Sequence, residues 1–147
     1  MKPIYDVDSF VPHESIGAYI GRVRKAALDL AENELAPHGI SGSEWFVILM
    51  VKNHIASAPT ELCKMLVYDP GAMTRLIDRL EEKGLVRRLR AEDDRRAQRL
   101  ELTAEGKAIY PKIVTALVKV YNQLLRGFTK TEVNQLQDML KRMLANA

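Results

Sequence analysis

Two short stretches of this sequence combine arginine with residue types that suit the binding of a polyanion. The first is "DPGAMTR", residues 69–75, and the second is "DDRR", residues 93–96. A guanidinium can pair bidentately with the major-groove edge of guanine, and an arginine in a narrow minor groove meets an enhanced negative potential. The chemistry that these residues favour is recognition of DNA.

The first stretch begins a predicted amphipathic helix. Asp69 is a good N-cap, Pro70 suits the first helical position, and Gly84 can close the helix in the left-handed conformation. At about 100° per residue, one apolar stripe forms opposite a polar side that carries the arginine. The stripe consists of Met73, Leu76, Ile77 and Leu80, and the opposite side of Gly71, Thr74, Arg75 and Asp78.

Five residues of this helix are predicted to contact DNA. Gly71 and Ala72 are small, so the backbone can approach a surface closely there, and helix N-termini favour phosphate. Arg75 is the candidate for a base contact, and Thr74 for a phosphate or a base. Arg79 is placed as a clamp on the DNA backbone, with pairing to neighbouring acidic residues as the alternative.

The second stretch forms the tip of a predicted β-hairpin. The runs "LVRRLR" and "RLELT", residues 85–90 and 99–103, are strand-like and flank the charged tip. Arg95 and Arg96 are predicted to enter a minor groove, and Asp94 to hold Arg96 extended. Arg88 and Arg90 are expected to meet phosphates, together with Arg87 and Arg99.

Bulk charge does not explain DNA binding by this segment. Residues 61–103 carry ten Lys/Arg and nine Asp/Glu, although the chain as a whole has a net charge of +3. Binding of a polyanion would therefore depend on where individual arginines are placed.

The remaining elements that must position these arginines are predicted to be helices. Apolar residues at spacings of three and four mark a helix over residues 15–35, and a capping box of Ser41 and Glu44 precedes the apolar run "WFVILMV". A short helix over residues 59–66 turns Leu62, Met65 and Leu66 inward. Thr103 caps a long fifth helix, and a capping box of Thr129 and Glu132 opens the last one.

Helix, turn, helix and then a hairpin is the order of a winged helix-turn-helix. The predicted fold is mainly α with a small β-hairpin wing. At 147 residues the chain suits one domain. We expect a DNA-binding lobe over residues 55–103, flanked by helices over residues 10–36 and 104–147.

The sequence resembles the MarR-type winged-helix transcription factors, the multiple-antibiotic-resistance regulators. The resemblance covers nearly all of the chain after about residue 15, and its combined spacing is quite specific. The residues that carry it are Thr74-Arg75, Asp78, Leu80, Gly84-Leu85-Val86, Asp94-x-Arg96 and Leu102-Thr103-x-x-Gly106, with "LAPHGIS" and "EW" at residues 35–41 and 44–45.

The resemblance implies a homodimer, in which the helices over residues 10–36 and 104–147 are the dimerisation helices. This homodimer would bind double-stranded DNA at a pseudo-palindromic operator. Many members of that family are repressors released by small aromatic or phenolic acids, bound between the dimer helices and the DNA-binding lobe. An anionic aromatic ligand needs an arginine and apolar walls. The candidate pocket residues are Tyr19, Arg22, His38, Trp45 and Tyr110, for each of which a packing or solvated role is an equal alternative.

Other functions find little support in the sequence. It has no carboxylate pair, nucleophile elbow or phosphate-binding glycine loop, and its histidines lack metal-ligand spacing, so we expect neither catalysis nor a metal or other cofactor. The single cysteine, Cys63, is expected to pack in the interior rather than sense oxidants. Without a membrane span or a signal peptide, a cytoplasmic location is expected. The alternatives to a DNA-binding regulator are a winged helix that binds another protein and, with no residues in its favour, an enzyme.

Overall fold

The computed structural model describes residues 3–90 and 98–147. Two short 3-10 helices, Pro12–Glu14 and Ala36–His38, lie before and after the first α-helix, α1 (Ile16–Leu35). The chain is mainly α with one two-stranded antiparallel hairpin, as predicted. Its elements are α1 (Ile16–Leu35), α2 (Glu44–Lys52), α3 (Pro59–Leu66), α4 (Pro70–Glu82), β1 (Val86–Arg90), β2 (Gln98–Leu102), α5 (Ala104–Leu124) and α6 (Lys130–Ala145).

The helix starts follow the side-chain caps that the sequence predicts. Asp69 accepts a hydrogen bond from the backbone N–H of Ala72 at 2.9 Å, which begins α4. Thr103 does the same for Gly106 at 3.0 Å and begins α5. At α6 the complete capping box of Thr129 and Glu132 is present. These caps satisfy N–H groups that a helix end leaves unpaired.

The start of α2 differs from the prediction. The helix begins at Glu44, and its N-cap is Ser43, without a side-chain bond, so the prediction of Ser41 as the capping residue was wrong. The Glu44 carboxylate still accepts from the backbone N–H of Ser41 at 2.9 Å, which is half of a capping box. The physical reason is that Gly42, directly after Ser41, has a left-handed backbone with φ 55°, so an α-helix cannot continue from Ser41 through this residue.

The core lies between α2, α3, α4 and the base of the hairpin, and it continues to the C-terminal end of α1 and the middle of α5. The four apolar residues predicted for α4 are all buried, as are Leu62 and Leu66 of α3. Met65 was predicted to point inward and instead is exposed, because an eight-residue helix packed on one side buries only a narrow stripe. Cys63 is half-buried and packs against the core.

The hairpin is joined to the helices at its base. Val86 pairs with Leu102 and Arg90 with Gln98, and the Leu100 N–H donates to the Ser57 carbonyl at 2.8 Å. A Cβ added at Gly106 in the first turn of α5 would overlap the Leu85 carbonyl oxygen. The close approach of α5 to the hairpin therefore requires a residue without a side chain at this position.

The terminal helices leave much apolar surface uncovered. α1 packs against α5, but Ile16, Tyr19, Ile20 and Val23 of α1 are exposed. None of the 16 residues of α6 is buried. In the part of the chain that the structure describes, no helix has the length and hydropathy needed to cross a membrane.

Candidate nucleic-acid interface

The polar side of α4 is available to a partner. Gly71, Thr74, Arg75 and Arg79 are exposed, whereas the opposite stripe of the same helix is in the core. The structure thus presents four of the five predicted contact residues of this helix on its surface, and Ala72 is half-buried. Because its apolar stripe is packed in the core, α4 can present its polar side to a DNA groove without any change in fold.

Arg75 lies beside the N-terminus of α4. A Cβ added at Gly71 would sit 3.4 Å from Nη1 of Arg75 and 3.1 Å from Oδ1 of Asp69. The missing side chain at Gly71 therefore leaves the space along which Arg75 extends. The backbone N–H of Ala72 lowers the pKa of the Asp69 carboxyl below its usual value, and the charge of Arg75 adds to this effect.

Thr74 uses its hydroxyl hydrogen within the helix. Its Oγ1 donates to the carbonyl oxygen of Pro70 at 2.8 Å. A phosphate accepts hydrogen bonds and cannot donate them, so a phosphate contact would require this hydroxyl to rotate. The methyl group and a lone pair of the oxygen remain for contact with a base.

Arg79 and Lys83 approach the same buried carboxylate from α4. Nζ of Lys83 lies 2.7 Å from Oε2 of Glu44, and Nε of Arg79 lies 3.6 Å from Oε1. The Arg79 side chain is still 49% exposed, so it can contact the DNA backbone while it remains near Glu44. The sequence predicts Glu44 only as part of a helix cap, and no local pattern indicates that its carboxylate is buried.

Arg88 has a different environment from the one predicted. Its guanidinium pairs with Asp78 at 2.6 Å and with Glu81, and its side chain is only 24% exposed. Two carboxylates already engage this arginine, so the structure gives it the role of joining β1 to α4 rather than that of a free phosphate ligand. Asp78 and Glu81, which lie three residues apart on α4, were the signal that could have indicated this pairing.

The other hairpin residues fall into two groups. Arg90 is exposed at the end of β1, as expected for a residue that meets phosphate. Asp94, Arg95 and Arg96 lie outside the described residues. The minor-groove contact of the two arginines and the role of Asp94 in holding Arg96 extended therefore stay predictions.

Two of the five predicted ligand-pocket residues lie together. The Arg22 guanidinium stacks over the Tyr19 ring, 4.6 Å from its centroid, and donates to the His13 carbonyl at 2.9 Å. Both side chains are exposed on α1. An arginine beside an aromatic ring is the combination that an aromatic carboxylate would use.

The remaining three predicted pocket residues lie in other places within the described chain. His38 lines a cleft with Pro111 and Lys112 of α5. The Tyr110 hydroxyl lies 3.3 Å from the amide of Asn53. Trp45 stacks edge-on against Phe46, and its indole nitrogen is buried without a hydrogen-bond partner among the described residues. One copy of the chain does not unite the five residues in a single pocket.

The described residues contain no group of His, Cys, Asp and Glu that could hold a metal ion. Among the predicted contact residues of α4, the exposed side chains are neutral at Thr74 and cationic at Arg75 and Arg79, while Asp78 and Glu81 of the same helix are paired with Arg88. Together with the hairpin, the exposed side chains form a surface whose chemistry suits an anionic, extended partner.

Comparison with known proteins agrees with this geometry. Residues 38–97 match the model of the MarR family. The multiple antibiotic resistance protein MarR of Escherichia coli (strain K12) is 32% identical over 130 residues, which cover 88% of this chain and 90% of that protein. The homoprotocatechuate degradative operon repressor of Escherichia coli is 25% identical over 133 residues, which cover 90% of each chain.

Solved structures show the same arrangement of elements. A mutant MarR from E. coli complexed with operator DNA has a TM-score of 0.79 and 32% identity, and the match covers 92% of this chain and 99% of that one. The transcriptional regulator SlyA has a TM-score of 0.81 and 25% identity, over 90% and 93% of the two chains. On the winged-helix architecture and on these similarities over nearly its whole length, the chain belongs to the MarR family of transcriptional regulators.

Proposed function

We propose that this protein is a homodimeric, sequence-specific DNA-binding repressor whose operator is a pseudo-palindrome. The observation that carries the proposal is the exposed Arg75 at the N-terminal end of α4, a helix whose opposite face is held in the core. A relative that has been solved in complex with operator DNA supports it.

In this proposal the N-terminal turn of α4 enters a major groove. Gly71 and Ala72 let the backbone come close, and the helix N-terminus favours a phosphate. Arg75 pairs with a guanine, and Arg79 and Arg90 contact the DNA backbone. Arg95 and Arg96 reach the adjacent minor groove, an assignment that rests on the sequence alone.

The second copy of the chain covers the apolar faces of the terminal helices. Residues of α1, α5 and α6 are large, apolar and exposed in the single chain, a pattern that marks an interaction surface. A two-fold dimer would place its two α4 helices on half-sites about one helical turn apart, roughly 10 bp from centre to centre.

A small aromatic or phenolic acid is the proposed effector. Tyr19 and Arg22 are stacked on α1, the helix that links the dimer interface to the DNA-binding lobe. One similar protein is named as the repressor of a degradative operon. Bound ligand would favour a spacing of the two α4 helices that no longer fits successive major grooves, and so would release the operator.

Selection from a random duplex pool tests the proposal. Purified protein at near-physiological salt should enrich a pseudo-palindrome with half-sites about 10 bp apart. If duplexes are retained only at low salt and no sequence is enriched, the result would contradict sequence-specific binding and favour a protein partner instead.

Two arginine variants separate the kinds of contact. Arg75→Ala should relax the preference at one position of each half-site, at a cost of about 1–3 kcal/mol on the preferred sequence. Arg90→Ala should weaken binding to all sequences alike and reduce its salt dependence. If Arg75→Ala also gives a uniform loss, Arg75 is a phosphate contact and a different residue reads the base.

A panel of aromatic acids added to the operator complex tests the effector. Release by one of them, with Arg22→Ala raising the concentration required, is the expected result. Release that is unchanged in Arg22→Ala would remove Arg22 from the binding site.

A further inference from the structure

The helix α4 is held between ion pairs of opposite polarity. On the side of α2, the helix supplies two cations, Arg79 and Lys83, to the Glu44 carboxylate. On the side of β1, it supplies two anions, Asp78 and Glu81, to the Arg88 guanidinium. The two sides therefore cannot exchange partners, and the helix has one favourable orientation between them.

The side of α2 is the more deeply buried of the two. The Glu44 side chain is 0% exposed, and its Oε2 accepts from Nζ of Lys83 at 2.7 Å and from the Ser41 N–H at 2.9 Å. Nζ of Lys83 also donates to the Gly39 carbonyl at 2.7 Å. One carboxylate thus connects the end of the α1–α2 connection, the first turn of α2 and the last turn of α4.

The other oxygen of Glu44 faces Arg79 without a hydrogen bond. Among the described residues, Oε1 of Glu44 has no hydrogen-bond partner, and Nε of Arg79 at 3.6 Å is a cation beside it. A buried carboxylate is costly unless it is paired, so rotation of α4 away from Glu44 would be opposed by the loss of both cations.

Small rotations of α4 matter for the reading of bases. Side-chain ends lie about 5–6 Å from a helix axis, so a rotation of about 10° moves them by about 1 Å. A bidentate pair with guanine tolerates little displacement, since donor–acceptor distances stay near 2.7–3.2 Å. Whatever fixes the rotation of α4 therefore fixes where the Arg75 guanidinium meets the base.

We propose that Glu44 is a positioning residue for DNA reading. Through Lys83 and Arg79 it holds α4 at the rotation in which Arg75 meets its base. The inference rests on the proposed function and adds a residue that touches no DNA. Loss of the Glu44 carboxylate should reduce the discrimination between operator and random DNA. Non-specific binding should persist, because a misplaced α4 still carries all of its positive charge.

Bulk electrostatics predicts a different result for the same substitution. Glu44→Gln removes a negative charge beside α4 and frees two cations, which on charge alone would tighten binding to every duplex. Lys83→Gln changes the charge in the opposite direction and would weaken binding to every duplex. In neither case does charge alone alter the ratio of the two affinities.

The experiment measures the affinities of the dimer for the selected operator and for a scrambled duplex of equal length, at several salt concentrations. The variants are Glu44→Gln and Lys83→Gln, each first shown by thermal unfolding to be folded. Glu101→Gln is the matched control, because it removes a carboxylate whose ion pair, with Arg87 at 2.7 Å, joins β2 to β1 rather than to α4.

The proposal expects the ratio of operator to scrambled affinity to fall about tenfold in both variants, although their charges change in opposite directions, and to stay constant in Glu101→Gln. An unchanged ratio in a folded Glu44→Gln or Lys83→Gln protein would overturn it. If one variant fails to fold, the other decides the question. Wild-type protein that lacks any operator preference would overturn the proposed function as well, so the two failures are distinguishable.

Discussion

The helices α4 and α6 have similar amphipathic patterns and opposite environments. The apolar stripe of α4, formed by Met73, Leu76, Ile77 and Leu80, is at most 1% exposed. The stripe of α6 is 37–77% exposed at Leu136, Met139, Leu140, Met143 and Leu144. The chain itself covers the first stripe, whereas nothing among its described residues buries the second.

This difference shows what hydrophobic periodicity measures. Spacings of three and four identify which face of a helix avoids water, but not the surface that covers it. The stripe of α4 is covered within one chain, by the core that α4 shares with the other helices, and the stripe of α6 is expected to be covered by a second copy. Each prediction below tests one side of this comparison.

The largest effect is expected at α6. Leu140→Glu places a charge in the apolar stripe, which a second copy could cover only by burying an unpaired carboxylate. We expect the dimer to dissociate or aggregate in analytical ultracentrifugation, and deletion of residues 129–147 to have the same result.

Asn134→Glu is the matched control, because it adds the same charge on the opposite, polar side of α6. Its sedimentation should equal that of the wild type. A stable dimer in Leu140→Glu would show that α6 does not form the interface.

The next largest effect is expected at Gly106, in the first turn of α5 beside the base of the hairpin. Gly106→Ala would place a Cβ against the Leu85 carbonyl, which is backbone and cannot move aside cheaply. We expect the free energy of unfolding in urea to fall by about 2 kcal/mol.

Gly21→Ala in α1 serves for comparison, since an added Cβ there meets nothing within 4 Å. It should raise the free energy of unfolding by about 0.5–1 kcal/mol through helix propensity. Equal effects of the two substitutions would mean that the contact between α5 and the hairpin base can relax.

Local sequence signals predicted much of this fold. The caps Asp69, Thr103 and Thr129 and the stripe of α4 are confirmed, because each depends on residues within one or two turns of each other. The exposure of Arg75 follows from the same periodicity.

The ion pairs of the site could not be predicted in the same way. Glu44 lies 39 residues from Lys83, so no local pattern reports their contact. The position of Glu44 suited a helix cap equally well, and its second role depends on how α2 packs against α4. Arg88 was assigned to phosphate because its strand is rich in arginine. The acidic pair of Asp78 and Glu81 on α4 was a visible signal, but it points to Arg88 only once β1 is known to pack beside α4.

Neighbouring arginines of β1 offer a smaller test of the lobe. Arg88→Met would leave Asp78 and Glu81 without their cation in a half-buried site, and we expect a loss of about 1–2 kcal/mol in unfolding free energy. Arg87→Met breaks only the more exposed pair with Glu101 and should cost less than about 0.5 kcal/mol. Similar losses in urea unfolding would contradict a special role for Arg88 in joining β1 to α4.

The smallest effect on stability is expected from removing the charges at the N-terminal caps of α4 and α6, and both helices should show the same pH dependence. The pKa of the Asp69 carboxyl lies below its usual value, mainly because the backbone N–H of Ala72 donates to it. The pKa of the Glu132 carboxyl is lowered in the same way, mainly by the backbone N–H of Thr129. A carboxyl whose pKa is lower in the folded state stabilises the fold at pH values above its unfolded pKa, and this contribution is lost as the pH falls through the folded value.

Asp69→Asn and Glu132→Gln keep the hydrogen-bonding shape but not the charge. Each should therefore be less stable than the wild type near pH 6, and the difference should shrink as the pH falls below about 4. Urea unfolding from pH 6 to pH 3 measures both.

A difference that does not depend on pH would mean that the cap acts through geometry alone. If the stability difference shrinks at low pH for Asp69→Asn but not for Glu132→Gln, α6 is coupled to the folding transition differently from α4. Unlike the coverage of the two apolar stripes, the caps need nothing from outside their own helix, so the same pH dependence is expected on both sides of the comparison.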